Sequence, residues 1–501
     1  MTVFGGVRIG VLALAAALTA GVAAAQDVII KEYDDGGIYE GTFKDGKQHG
    51  QGTYRLPNGY EYSGDWVEGE ILGQGLARYP NGSYYKGAFV NGKPQGKGKI
   101  EFADGGSYDG DWMNGEIEGQ GTAIYANGTV YTGGFHQALH HGTGKMISPG
   151  GYTYDGDWVM GVKEGKGTIT YPDGATYVGD MLRGERAGQG TLTLADGLTY
   201  EGGWVDGEMT GTGKLTQPNG DVYEGTFAGG KRQGAGKVTY ANGDVFEGSF
   251  VADKREGKGI FRGTDGYVYE GDWLAGKIDG QGKVTYPDGS VYEGALKDDL
   301  ANGIGKITYA DGATYEGDWK GGVIEGKGRA TYANGLVYEG EFAGGKNNGQ
   351  GTMTYPDGYT YSGAWKDGQR EGEGTAKYAD GTVYTGGFVA GQREGQGEIV
   401  MADGFRYAGG WKAGEIDGKG TATYPNGDVY EGEFKAGKRQ GLGVMRYASG
   451  QTASGTWTAG ALTAEGPVPA EGAAPADAAA PAAAVAPAPD PAAPAPAAPG
   501  N

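Results

Sequence analysis

The chain has 501 residues, 108 of them glycine and none cysteine, and a formal net charge of −21. Without cysteine there are no disulfides and no thiolate metal sites, and the acidity opposes long-range attraction to nucleic acid, leaving only local basic patches to meet polyanions. Glycine is about three times its usual share of roughly 7% but has no Gly-X-Y period, which excludes collagen, and 11% aromatic residues argue against a plain disordered glycine-rich chain.

The first element is residues 1–25. Arg8 precedes an apolar run from Ile9 to about Ala25 that ends in small residues. This pattern predicts a secretory signal peptide cleaved near Ala25, and therefore a periplasmic or secreted protein. A retained membrane anchor is the alternative, but the run is short and alanine-rich for a spanning helix. Residues 26–38 form a lead-in.

From Tyr39 to residue 459 the chain repeats. Tyr39, Tyr62, Tyr85 and their successors up to Tyr430 recur every 23 residues, with Phe246 once in place of Tyr. One more step reaches Ala453, giving nineteen units with no inserted or deleted residue. In the unit at Tyr269, alternation along "YEGDW" puts Tyr269, Gly271 and Trp273 on one face, with Glu270 and Asp272 on the other. A turn, "LAGKIDG", follows. In the second strand, "GQGKVTY", Gly280, Gly282, Val284 and Tyr286 share a face. Pro287-Asp288-Gly289 is a reverse-turn signal leading to the next unit.

These patterns predict an all-β fold: an elongated single-layer antiparallel β-meander of about nineteen 23-residue hairpin repeats. About 38 strands at about 4.8 Å spacing would extend roughly 180 Å as a twisted ribbon. Glycine weakens a strand unless something uses the vacancy. Here rings on neighbouring strands are expected to lie over the bare backbone of paired glycines, so that each unit is stable only within the stack.

The position four residues after each repeat tyrosine holds every tryptophan of the chain, eight phenylalanines, Met181 and Leu296. Tryptophans recur every 46 residues in two sets, so the unit is often a pair. Trp units tend to carry acidic turns such as "GEIDG" (414–418), and Phe units often carry basic ones such as "GKRQG" (230–234). This reads as duplication of two-unit blocks or as alternating charge along an edge suited to self-association.

The ring-bearing face is the candidate binding surface, through Tyr62, Trp66, Tyr108, Trp112, Tyr154, Trp158, Tyr269, Trp273, Tyr315, Trp319, Tyr361, Trp365, Tyr407 and Trp411. A single layer is expected to leave these rings incompletely covered, and contiguous apolar surface marks a partner site. A protein partner or a homo-oligomer is the expected occupant. Anionic lipid is a second candidate, held by the basic turns Lys231-Arg232, Lys254-Arg255 and Lys438-Arg439. A cell-wall glycan or amine on the aromatics is a third.

Catalysis finds little support. "GAGKVT" (234–239) lacks the upstream glycine and the helix of a phosphate loop. Glu40, Glu224, Glu270, Glu293, Glu316, Glu339 and Glu431 recur once per unit on the polar face, as a solvated ladder rather than an enclosed acid pair. His136, His140 and His141 cluster in one turn, where Zn²⁺ or Cu²⁺ is the sharper reading and an exposed degenerate turn the plainer one. No cofactor is expected, and the protein reads as a non-enzyme.

Residues 460–501 contain ten of the nineteen prolines, no aromatic residue, no lysine and no arginine. Such a segment cannot bury a core, and it is expected to be a disordered Pro/Ala-rich tail serving as spacer or tether.

The order Y-x-G-x-[WF], then G-x-G, then Y-[PA]-[DN]-G, in nineteen registered copies from Tyr39 to Trp457, resembles the MORN repeat family. Phe246, Met181, Leu296 and Ala453 depart from the pattern, and the last unit looks like a cap. The order fits this family better than the choline-binding arrays of cell walls. The resemblance implies a meander of hairpins that serves as a non-catalytic scaffold for protein–protein interaction or self-assembly, here in the cell envelope. Phospholipid or membrane binding is the alternative it suggests.

Overall fold

The computed structural model describes residues 27–466. The expected signal peptide and most of the expected tail lie outside the described residues. The chain divides into two compact units, one ending at Met209 and the other starting at Thr210. Each unit is a meander of antiparallel strands. The described residues contain 39 strands and no helix.

Within a hairpin the first strand has seven residues and the second nine, as in Val268–Leu274 and Lys277–Thr285. The connection is only Ala275-Gly276, with φ of 52° and 97°. Two consecutive positive φ values make a type I′ turn, whose twist matches that of the flanking strands. The seven-residue turn expected from "LAGKIDG" is therefore corrected to two residues. The return connection is Pro287-Asp288-Gly289. The Gly289 amide donates to the Tyr286 carbonyl (2.9 Å) and the Ser290 amide to Asp288 Oδ1 (2.8 Å). Gly289 sits at φ 87°, completing a three-residue loop of the type that ends in a left-handed residue.

The hairpin is not a uniform ladder. Gly271 pairs with Gly282 and Trp273 with Ile278, so one residue on the first strand faces three on the second. The extra residues form a bulge at Gly280, whose φ is 124° and whose missing Cβ would point at the Asp272 side chain. Gly280 is thus not on the ring face, as simple alternation placed it, because the bulge interrupts the alternation. Asp272 fills the break: its Oδ2 accepts the Gln281 amide at 2.9 Å. Asp65, Asp111, Asp157, Asp180 and Asp318 do the same for the residue nine positions on.

Within each unit, tips are fastened to the hairpin before them. The Gly276 amide donates to the Arg255 carbonyl (2.9 Å) and the Ala275 amide to Glu256 Oε2 (2.9 Å). In the first unit Gly69 bonds Gln48 and Gly115 bonds Pro94 in the same way. This contact depends on the turn standing a fixed number of residues from its predecessor, which accounts for the strict 23-residue spacing.

Two strands flank the expected array. In the first unit, Ile29–Glu32 pairs with Ile38–Lys44. In the second, Thr452–Thr458 pairs with Ala461–Glu465. The boundary drawn at residue 459 from composition is therefore too early. Ala459 and Gly460 adopt the same two-residue turn, with φ of 50° and 95°, and the short apolar run after it completes a nineteenth hairpin.

Candidate interaction surface

The rings form the core of each unit. Tyr269 is 0% exposed and Trp273 5%. The Tyr269 ring lies flat over the paired glycines, as a Cβ at Gly271 or Gly282 would strike it. Its hydroxyl donates to the Asp272 carbonyl at 2.7 Å, at the residue where the ladder shifts register. The same bond to the residue three positions on is made by Tyr39, Tyr62 and Tyr85 in the first unit, and by Tyr292, Tyr315 and Tyr430 in the second. Burial pushes the hydroxyls of Tyr39, Tyr85, Tyr131, Tyr292 and Tyr430 up to about 12.

Rings also stack edge to face along the array. Tyr315 meets Trp319 of its own hairpin at 5.4 Å and Phe342 of the next at 5.0 Å. Such T-shaped pairs add about 0.5–1.5 kcal/mol beyond area burial. The indole N–H completes the joint: Trp66 donates to the Gly52 carbonyl (3.1 Å) and Trp319 to that of Gly305 (3.1 Å). The hairpin at Phe246 departs twice. Phenylalanine has no hydroxyl for the Ser249 carbonyl, and the indole nitrogen of the following Trp273 has no hydrogen-bond partner.

This corrects the expected ring-bearing binding face. Tyr62, Trp66, Tyr108, Trp112, Tyr154, Trp158, Tyr269, Trp273, Tyr315, Trp319, Tyr361, Trp365, Tyr407 and Trp411 are all buried. The bare glycine backbone below and the next ring alongside leave them little surface, so one layer of strands encloses its own aromatics.

The basic turns need a second correction. Arg232 lies over Tyr223 and Phe250, with its guanidinium carbon 5.6 and 5.2 Å from the ring centroids. Arg255 lies over Phe246 and Trp273 at 5.0 and 4.5 Å, and Arg439 over Trp457 at 4.4 Å. Arg439 also donates to the Gly460 carbonyl at 2.7 Å. These arginines occupy the place that Ile278 takes opposite Trp273, and they cap rings through cation–π contact. Of the six residues assigned to lipid headgroups, only Lys231, Lys254 and Lys438 are exposed.

The histidines do not converge. His140 stacks on Tyr131 with centroids 3.7 Å apart, and it shares a 2.6 Å hydrogen bond with the Tyr125 hydroxyl. Burial lowers its imidazole to about 4. His136 instead meets Glu118 at 3.0 Å, and His141 lies beside His136. Among the described residues no group of three His, Asp or Glu side chains is placed to hold a metal.

What remains outward is the polar face. Lys283 meets Glu293 at 2.8 Å and Lys214 meets Glu224 at 3.7 Å, so several glutamates of the predicted ladder form cross-strand ion pairs in solvent. Between the two outward rows the glycines expose their backbone as a floor. In the first unit this makes a groove of about 490 Å³ over Gly167, Gly179, Gly190 and Gly202. In the second unit a groove of about 980 Å³ runs from Gly397 to Gly455, flanked by Ala408, Lys419, Glu431, Leu442 and Arg446. Leu442 is 69% exposed there. Sequence reasoning missed this site because its floor has no side chains. The signal available was the apolar residue between two glycines at Leu442, where most other units carry Gln or Lys.

Comparison with known proteins agrees with the repeat geometry. A 52-residue stretch is 40% identical to Alsin of Rattus norvegicus, covering 9% of this chain and 3% of that protein. The chain thus spans only a small fraction of that curated relative. Among solved structures, the SAS-4 (dCPAP) TCP domain of Drosophila melanogaster, in complex with a proline-rich motif of Ana2 (dSTIL), is similar at 19% identity with a TM-score of 0.21, over 31% of this chain and 85% of that one. The TCP10 domain of Danio rerio CPAP is similar at 14% identity with a TM-score of 0.18, over 44% and 98%. The MORN repeat matches in eighteen successive segments, each starting 23 residues after the last, from 39–59 to 430–452. The chain is a repeat scaffold, nothing found points to an enzymatic activity, and it belongs to the MORN repeat family.

Proposed function

We propose that the array is a non-catalytic scaffold of the cell envelope that holds a protein partner, or further copies of itself, along its polar face. The observation that carries this reading is the division of labour in every hairpin. The rings are consumed in the core, while the outward rows and glycine floor recur every 23 residues. A surface repeated at fixed spacing binds by many weak contacts whose joint strength grows with the number engaged. The envelope location rests on the leader-like residues 1–25. Crosslinking in the native cell, followed by identification of the attached chains, tests the proposal. The captured partner should then bind purified protein more weakly with each 46-residue block removed from the second unit. A partner-free monomer in the cell, or binding unchanged by such deletions, refutes it. With Arg232 and Arg255 half-buried over rings and Arg439 buried, the protein should not float with anionic liposomes at physiological salt, and flotation would favour the lipid reading instead.

A further inference from the structure

We infer that the first unit carries a binding site for a guanidinium cation, in the pocket formed by Tyr33, Asp34, Asp35, Gln48, Tyr54 and Trp66. This goes beyond the scaffold reading and does not depend on it. The pocket holds about 460 Å³ and lies at the loop that follows the strand Ile29–Glu32. Its rings stand steeply to one another. Tyr33 meets Tyr54 with centroids 6.1 Å apart at 78°, and Tyr54 meets Trp66 at 6.2 Å and 77°. Asp35 is held beside them: its Oδ1 accepts the Gly37 amide (2.9 Å) and its Oδ2 the Tyr54 hydroxyl (3.2 Å). Asp34, which is exposed, adds a second carboxylate, and no cation is among the lining residues. Lys31 lies over Tyr33 at 4.9 Å but does not line the pocket. Aromatic faces beside carboxylates are the surroundings that an organic cation favours.

The chain itself shows what such a corner holds. Nine repeats later, in the second unit, Tyr240, Phe261 and Trp273 stand at the positions of Tyr33, Tyr54 and Trp66, and Arg255 stands at that of Gln48. Arg255 donates to the Tyr240 hydroxyl at 2.7 Å, and its guanidinium carbon lies 4.5 Å from the Trp273 ring centroid and 5.9 Å from that of Tyr240. Gln48 makes the same first contact, donating to the Tyr33 hydroxyl at 2.6 Å, but its shorter side chain ends in a neutral amide. Trp273, covered by Arg255, does not line the corresponding pocket, whereas Trp66 lines its own. Arg186 over Trp204 and Arg439 over Trp457, at 4.3 and 4.4 Å, repeat the internal cation in both units. Where Ile278 or Ile324 takes the position, the alkyl side chain is buried, while Gln48 is only half-buried. The hairpin at Gln48 thus keeps the aromatic corner, adds two carboxylates, and lacks the guanidinium that other hairpins supply from within.

Titration of the full chain with methylguanidinium, followed by saturation-transfer NMR at physiological salt, tests the site, with methylurea as the neutral analogue. Methylguanidinium should bind about tenfold more tightly than methylurea, and Gln48→Arg should weaken it about tenfold by placing the protein's own cation over Trp66. Asp35→Asn, at an exposed position, should weaken it about threefold. Arginine already takes this position at Arg186, Arg232 and Arg255, so Gln48→Arg should fold, and an unchanged dichroism spectrum confirms that the array is intact. A capped Gly-Arg-Gly peptide is titrated alongside. Tighter binding of the peptide assigns the cation to an arginine side chain of a partner, and tighter binding of methylguanidinium assigns it to a free small molecule. Equal binding of methylurea, or no binding of either cation, overturns the proposal. So does binding that both substitutions leave unchanged, which would be diffuse attraction to an acidic chain.

Discussion

Gly282→Ala tests the ring-over-glycine packing most directly. Gly282 has ordinary extended backbone, so the substitution adds no conformational strain, only one methyl group. That methyl would lie 2.7 Å from the Tyr269 hydroxyl oxygen and 2.9 Å from Cζ, with Cε2 closer still. Tyr269 is fully buried and cannot swing into solvent, so the ring must lift from its seat. Overpacking of this kind costs about 1–3 kcal/mol. Lifting the ring also breaks the 2.7 Å bond to the Asp272 carbonyl, worth about 1 kcal/mol. The sum is about 2–4 kcal/mol, localised to one hairpin because repeats report mainly to their neighbours. Hydrogen exchange of the Lys277–Thr285 amides is the assay, and openings should become about thirty- to a thousandfold more frequent, at about 1.4 kcal/mol per tenfold. The control is the same change in a Tyr269→Leu background, where the cost should largely vanish. If Gly282→Ala accelerates exchange less than about threefold, or costs the same without the ring, the packing argument is wrong.

Other outcomes follow from the same geometry. Gly289→Ala meets nothing within 4 Å but forces φ of 87° on a residue with a Cβ. It should cost about 1–2 kcal/mol from the backbone alone, and a Tyr269→Leu change should not relieve it in a double-mutant thermal melt. Phe246→Tyr supplies the hydroxyl missing from one hairpin and should stabilise it by about 0.5–1.5 kcal/mol, read as slower exchange in Val245–Val251. Alkaline pH should unfold the array. The unfolded tyrosines ionise near 10, whereas Tyr39, Tyr85, Tyr131, Tyr292 and Tyr430 keep their protons to about 12. Their stabilisation is thus complete below pH 10 and lost as pH rises towards 12. Absorbance at the tyrosinate band should rise together with loss of strand signal in that window, and gradual ionisation of a still-folded chain would contradict the burial.

Much of this was legible in the residues. Paired glycines such as Gly271 and Gly282, with an aromatic two positions away, predicted ring-on-backbone packing because a strand glycine is destabilising unless something uses its vacancy. What misled was the inference that a single layer leaves Trp66 or Trp365 uncovered. Pairwise spacing shows which rings share a face but not how closely successive hairpins bring them together. Arg232 and Arg439 read as surface charge because an arginine next to a lysine in a turn usually is. Their core role depends on Lys231 and Lys438 already belonging to the strand after a two-residue turn, and that turn length follows from positive φ at non-glycine residues such as Ala436 (φ 46°). Asn91-Gly92, Asn114-Gly115 and Asp367-Gly368 carry the Asn-Gly or Asp-Gly signature of that turn, whereas Ala436 does not. The groove was hidden for a related reason, since its floor is defined by side chains that are not there.

The fastening of each hairpin tip to its predecessor has a consequence for how such a molecule changes size. Adding or removing a few residues between two tips would set Gly276 out of step with Arg255 and break that joint, whereas later joints such as Asp299 to Ile278 keep their own spacing. Growth and loss are therefore quantised: the molecule lengthens only by whole modules, about 10 Å of sheet at a time, and its reach is a counted quantity, like the rungs of a ladder.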